Sequence, residues 1–186
     1  MAAPIIKTRT RFFVAVEGES EQSFVTWLQM LSEGKLHIHL DCAPLGGGGF
    51  KSMLCKAVRF HKRRCRTSGP YRDCFLIVDG DRAEQGDWSV EKLRREAAKH
   101  KITVCVQNPN HEGLLLRMIH GLEHDVPDAA SAKTKLKGRW PSYHKPVNAH
   151  TLNRQFSLDD LLRVANVDSD LEALLKRIGL LCNLPG

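Results

Sequence analysis

Glu17, Glu21, Asp79 and Asp81 are the residues whose type and spacing point to chemistry. Glu17 closes the apolar run Phe12–Val16, and Glu21 follows one helical turn later. Asp79-Gly80-Asp81 closes a second run, Phe75–Val78. Short apolar runs without polar alternation read as buried, parallel strands. In open α/β sheets ligands bind beyond the carboxyl ends of the strands, where these four acids would gather. Carboxylates brought together repel one another unless a cation sits among them. All-oxygen donors suit a hard divalent ion, so all four are expected to hold Mg²⁺ or Mn²⁺. Either run alone is commonplace, because loops are polar and acids cap helices. Their shared strand-then-acid context is what points to a metal.

The elements that must position these acids follow from periodicity. Ser20 is placed to cap a helix whose stripe is Phe24, Trp27, Leu28 and Leu31. A second strand is expected over 36–43, with His37 and His39 on an exposed edge face. Gly46–Gly49 precede Phe50-Lys51-Ser52, but a phosphate-binding P-loop needs Gly immediately before the Lys, which excludes that reading. Phe50 instead opens a helix with Met53, Leu54 and Ala57 inward. The other side of that helix carries Lys51, Lys56, Arg59, Arg63 and Arg64, with no acid between Asp41 and Asp73, and reads as a phosphate track.

Beyond Asp81 the pattern predicts a helix over 88–100, a strand over 102–106, and a helix opened by Asn108-Pro109 with Glu112 in its first turn. Residues 129–158 contain no acid and carry Lys133, Lys135, Lys137, Arg139 and Lys145, with Trp140 and Tyr143 interleaved. This reads as a basic loop whose Lys137 and Arg139 meet phosphates and whose Trp140 stacks on bases. Two helices, over 157–162 and 168–181, close the chain.

At 186 residues the chain suits one domain, and a net charge of +7 favours anionic partners, nucleic acid before membrane. No apolar run approaches the ~20 residues of a membrane span. The start, Met1–Lys7, lacks the apolar core of a secretory leader. Six cysteines without a Cys-x-x-Cys pair read as buried thiols of a cytoplasmic protein.

Three segments together resemble the Toprim fold and, within it, the RloB-like family, relatives of OLD-type nucleases of bacterial defence. They are Val16-Glu17-Gly18-Glu19-Ser20-Glu21, Val78-Asp79-Gly80-Asp81, and Asn108 to Leu116. The chain departs from that pattern at His111, where relatives carry an aromatic residue, and at Leu114, where they carry Trp. The resemblance implies a four-stranded, mainly parallel sheet flanked by helices, with a Toprim-like unit over 8–128. Residues 129–186 would complete the same domain as a basic loop and helical extension. It implies a catalytic role for Glu112, and Tyr143-His144-Lys145 resembles a Tyr-x-Lys element that would make Lys145 a stabiliser of phosphorane charge. A larger defence complex, with an ABC-type ATPase partner, is also implied.

The expected function is Mg²⁺-dependent cleavage of phosphodiesters in RNA, tRNA included, or in DNA, with Glu17 a ligand or a general acid/base. The rivals are a non-catalytic nucleic-acid- or partner-binding subunit and a phosphatase with an Asp nucleophile. Oligomeric state is not legible in the sequence.

Overall fold

The computed structural model describes residues 8–84 and 88–181; the Met1–Lys7 start and the last five residues of the 129–186 unit lie outside them. Four strands, β1 (Thr10–Val16), β2 (Ile38–Pro44), β3 (Asp73–Asp79) and β4 (Ile102–Gln107), form one sheet in the order β2-β1-β3-β4. Every pairing is parallel. The α/β architecture is thus the expected one, and the sheet is parallel throughout.

Helices cover both faces. The chain leaves β1 through α1 (Glu19–Ser32) to reach β2, then returns through α2 (Phe50–Ser68) to β3 on the other side of β1. Reversing direction across the sheet under a fixed crossover hand puts α1 and α2 on opposite faces. The packing agrees. Phe12, Val14, Val16, Phe75 and Ile77 join Phe24, Trp27 and Leu28 of α1 in one core. Phe13, Ala15, Leu76 and Val78 join Phe50, Met53 and Ala57 of α2 in the other. The second core also holds Leu93 and Ala97 of α3 (Val90–Ala98). Burying each large apolar side chain contributes about 1.5–3 kcal/mol, so both faces of β1 and β3 are strongly fixed.

The remaining helices are α4 (His111–Arg117), α5 (Ala129–Arg139), α6 (Ala149–Gln155), α7 (Leu158–Ala165) and α8 (Ser169–Ile178). Leu115, Leu136, Leu152, Leu161 and Leu175, one from each, extend the α1-side core. The expected basic loop after residue 129 is therefore helical at its start: Asp128 caps α5 by accepting from Ser131 N, and Ala132 and Leu136 anchor its inner side. β2 is an edge strand with His39 exposed between buried Ile38 and Leu40, as the alternation predicts. Among the described residues, no helix is long and apolar enough to cross a membrane.

Two helix starts differ from the sequence reading. Gly18, not Ser20, is the N-cap of α1, and the Glu21 carboxylate accepts from Gly18 N at 2.9 Å. Asn110, not Asn108, caps α4 by accepting from Gly113 N at 3.1 Å. The first turn of α4 packs closely on the segment before it, since a Cβ on Gly113 would lie 2.5 Å from Pro109 Cδ. The helix then stops at Arg117, short of the apolar run that continues to Leu122.

Candidate active site

The strand order has one point of reversal, between β1 and β3, and there the carboxyl ends of two adjacent strands open a crevice. Val16 pairs in register with Ile77, so Glu17 and Asp79 leave the ends of neighbouring strands one residue out of register. The first turn of α1 adds Glu21. Glu17, Glu21, Asp79, Arg82 and Lys145 line one cleft of about 330 Å³, with Gly46 and Gly47 along its wall. All three acids are buried: Glu17 is 7%, Glu21 3% and Asp79 8% exposed.

Each of the three gives one oxygen to a protein donor. Glu21 Oε2 accepts from Gly18 N. Asp79 Oδ1 accepts from the backbone N–H of His111 at 2.9 Å. Glu17 Oε1 accepts from Arg82 Nε at 2.8 Å, with Arg82 Nη2 2.5 Å away, while Glu17 Oε2 is buried without a hydrogen-bond partner. Burial, then the charges of Glu21, Glu17 and Asp81, push the Asp79 carboxyl up to about 8. The cleft is thus short of positive charge at Asp79.

The glycine wall is built rather than loose. Gly46 and Gly47 have φ of +72° and +71°, a region costly for any residue with a Cβ. Leu45 N and Gly47 N donate to the carbonyls of Val16 and Glu17, fastening the loop to the end of β1. Lys56 reaches back from α2 to donate to the carbonyls of Leu45 and Gly47 at 2.9 and 3.0 Å.

Glu112 faces the same region through a different partner. Lys145 Nζ stands 3.2 Å from its Oε1 and 3.4 Å from its Oε2, and Tyr143 donates to Oε1 at 3.3 Å. Burial opposes ionisation of Glu112, yet the charge and hydrogen bond of Lys145 hold its carboxyl below the usual range. Burial likewise opposes the Lys145 ammonium, and Glu112, with Glu21 and Asp79 further off, raises it. Both residues of the Tyr-x-Lys element therefore meet Glu112, and Lys145 bridges from it to the acid cleft. His111 lies fully buried between the two, its ring edge-on to Phe24 and its Nδ1 3.3 Å from Gln107 Oε1. Burial holds its imidazole below the usual range.

Asp81 is placed apart from the other three acids. It follows β3 in the short 3-10 turn Gly80–Glu84, accepts from Asn110 Nδ2 at 3.2 Å, and lines a second, larger cleft of about 790 Å³ with Arg94, Asp128 and Asp168. Its charge still reaches Asp79.

The expected nucleic-acid contacts divide into exposed and structural groups. Arg59 and Arg63 are exposed on α2, both over the Phe60 ring, and Lys137 and Arg139 are exposed on α5. Lys56 is taken up by the glycine loop, and Arg64 by Asp41 Oδ1 and the Cys42 carbonyl. Trp140 does not present its ring to bases. It is 5% exposed, with its centroid 5.3 Å from Tyr143 and 5.6 Å from Phe156, and its Nε1 donates to Ser142 Oγ. Arg82 is the cleft residue the sequence reading missed; its only signal was a cation directly after Asp81.

The donor set fits a hard divalent cation in chemistry: oxygen ligands, excess negative charge and an orphaned buried carboxylate oxygen. Convergence is incomplete. Among the described residues, no group of three His, Cys, Asp or Glu side chains is drawn together closely enough to hold a metal ion. No protein-family model, curated protein or solved structure matches the chain.

Proposed function

We propose that the chain is a Mg²⁺- or Mn²⁺-dependent nuclease that hydrolyses phosphodiester bonds of RNA, tRNA included, or DNA, in the defence setting its motifs suggest. The observation that carries this reading is the meeting of Glu17, Glu21 and Asp79 with Lys145 in one cleft at the reversal point of the sheet. Glu21 and Asp79 would hold the ion, with Glu17 as a further ligand or as the general base and Asp81 contributing charge. The ion, when bound, would polarise the phosphate and lower the pKa of a water. Lys145, kept charged by Glu112, would meet negative charge that grows on the phosphate. Arg59 and Arg63 on α2, with Lys137 and Arg139 on α5, would draw the strand in by its backbone. A partner ATPase belongs to the same proposal.

The incomplete convergence of the acids favours one second reading, a subunit that binds nucleic acid without cutting it. Incubation of tRNA, single-stranded RNA and DNA with Mg²⁺ or Mn²⁺ separates the two. The nuclease reading expects cleavage that EDTA or Glu17→Ala abolishes. Binding without cleavage in every metal supports the second.

A further inference from the structure

Arg82 occupies Glu17 in a way that bears on how the cleft takes up a cation. Two of its guanidinium nitrogens converge on one oxygen, Glu17 Oε1, while the other oxygen of the same carboxylate is buried and unpartnered. Arginine forks ordinarily grip both oxygens of a carboxylate. Here the grip is one-sided, so Glu17, a residue of the cleft lining, retains a buried oxygen that no hydrogen bond satisfies. The Arg82 side chain is 39% exposed and projects from a short turn rather than from the core. It can move where Glu17, fixed at the end of β1, cannot. Lys145 cannot fill this role, because Glu112 already holds it.

We propose that Arg82 is an exchangeable counter-ion of Glu17, which a divalent cation must displace and which then binds a phosphate group of the substrate. This rests on the nuclease reading of the cleft. Arg82 and the cation compete for one carboxylate, so metal affinity is low while the guanidinium is on Glu17. An anion that takes the guanidinium removes the competitor. Cation and phosphate then bind with positive coupling, and linkage makes that coupling reciprocal. The consequence is a site that loads metal well only with substrate present. Arg82 is thereby a substrate-binding residue, and Glu17 a ligand only in the loaded state.

The test is a Mn²⁺ titration followed by the paramagnetic resonance of free Mn²⁺, on wild type, Arg82→Ala and Arg82→Gln. Each is run with sulfate as a phosphate mimic and with chloride at equal ionic strength. In wild type, sulfate should tighten Mn²⁺ binding by roughly 5- to 150-fold, the usual range for coupled sites. Both variants should bind Mn²⁺ more tightly than wild type in chloride, with no further gain from sulfate. Variants that bind Mn²⁺ no more tightly than wild type in chloride overturn the role of Arg82 alone. Absence of Mn²⁺ binding in all three proteins overturns the metal reading together with it.

Discussion

The backbone N–H of His111 donates to Asp79 Oδ1 at 2.9 Å, tying the end of β3 to the first turn of α4. The bond holds the Asp79 carboxyl in a buried place beside Glu21 and Glu17, where its ionisation is opposed. On unfolding Asp79 ionises at its ordinary 3.8, whereas the fold keeps the proton up to about 8. Between those values the unfolded chain binds fewer protons, so the contribution of Asp79 to stability falls as pH rises. Its slope is at most about 1.4 kcal/mol per pH unit. Asp79→Asn keeps the acceptor for His111 N and removes the titration. In EDTA, urea melts from pH 5 to 8 should show wild type losing stability relative to Asp79→Asn. Parallel curves would mean the carboxyl is ionised throughout.

The basic surface gives a prediction that separates exposed from structural cations. Arg59→Glu, Arg63→Glu and Lys137→Glu should each weaken nucleic-acid binding. Each lost phosphate contact should lower the log–log salt slope by roughly 0.7 to 0.9. Arg64→Glu should instead lower the melting temperature, because it sets a carboxylate against Asp41 at a half-buried pair. Filter binding across a salt series, with melting curves beside it, reads both. An unchanged slope in the Arg59, Arg63 and Lys137 triple variant would remove α2 and α5 from the interface.

Trp140 should behave as a core residue. Trp140→Ala removes the ring packed on Tyr143 and Phe156, at a cost of about 3–5 kcal/mol, the usual range for such truncations. Chemical denaturation should show that loss, while the folded fraction binds single strands as wild type does. A weaker complex with unchanged stability would return the ring to the bases.

The fold was legible because β1 and β3 are covered on both faces. Phe12 to Val16 and Phe75 to Val78 can therefore be apolar without a break, and the acids that end them mark the strand ends directly. That fixed Glu17 and Asp79 at one rim. What stayed hidden depends on tertiary partners. Arg82 and Glu17 are 65 residues apart, and a long flexible side chain gives no sign of where its head lies. Lys56 and Arg64 sit on a face that reads as a phosphate track until β2 brings Asp41 and the glycine loop beneath it. Trp140 lies in a stretch without periodicity, and only Phe156, arriving with α6, shows that the ring is covered. Gly18 could not be read as the cap of α1, because the group that bonds its N–H is the side chain of Glu21. Asn108 followed by Pro109 reads as the cap of α4, and the cap two residues later, at Asn110, shows only in the bond its side chain accepts from Gly113 N.

The Lys145–Glu112 pair offers a further check on the cleft. Lys145→Met leaves the buried Glu112 carboxylate with the Tyr143 hydroxyl and its own backbone N–H but no cation paired to it. Lys145 is 43% exposed, so the loss should be modest, about 1–3 kcal/mol for a buried acceptor deprived of a partner. Metal-dependent cleavage should fall far more than stability does, by at least a hundredfold, in the range seen when one donor to a developing oxyanion is removed. Single-turnover cleavage beside a denaturation curve measures the two. Equal activity in Lys145→Met would confine the lysine to supporting Glu112.

The most direct measurement of the central claim, a divalent-cation site between β1 and β3, is thermal melting of wild type and Asp79→Asn in EDTA and in rising Mg²⁺ or Mn²⁺. A ligand of the folded state stabilises by RT ln(1 + [L]/Kd), so the wild-type melting temperature should climb with metal concentration. Asp79→Asn should start equal or higher in EDTA, having lost a carboxyl whose ionisation burial and its acidic neighbours oppose, and should gain little from metal. A wild type whose melting temperature is indifferent to both ions would contradict the site.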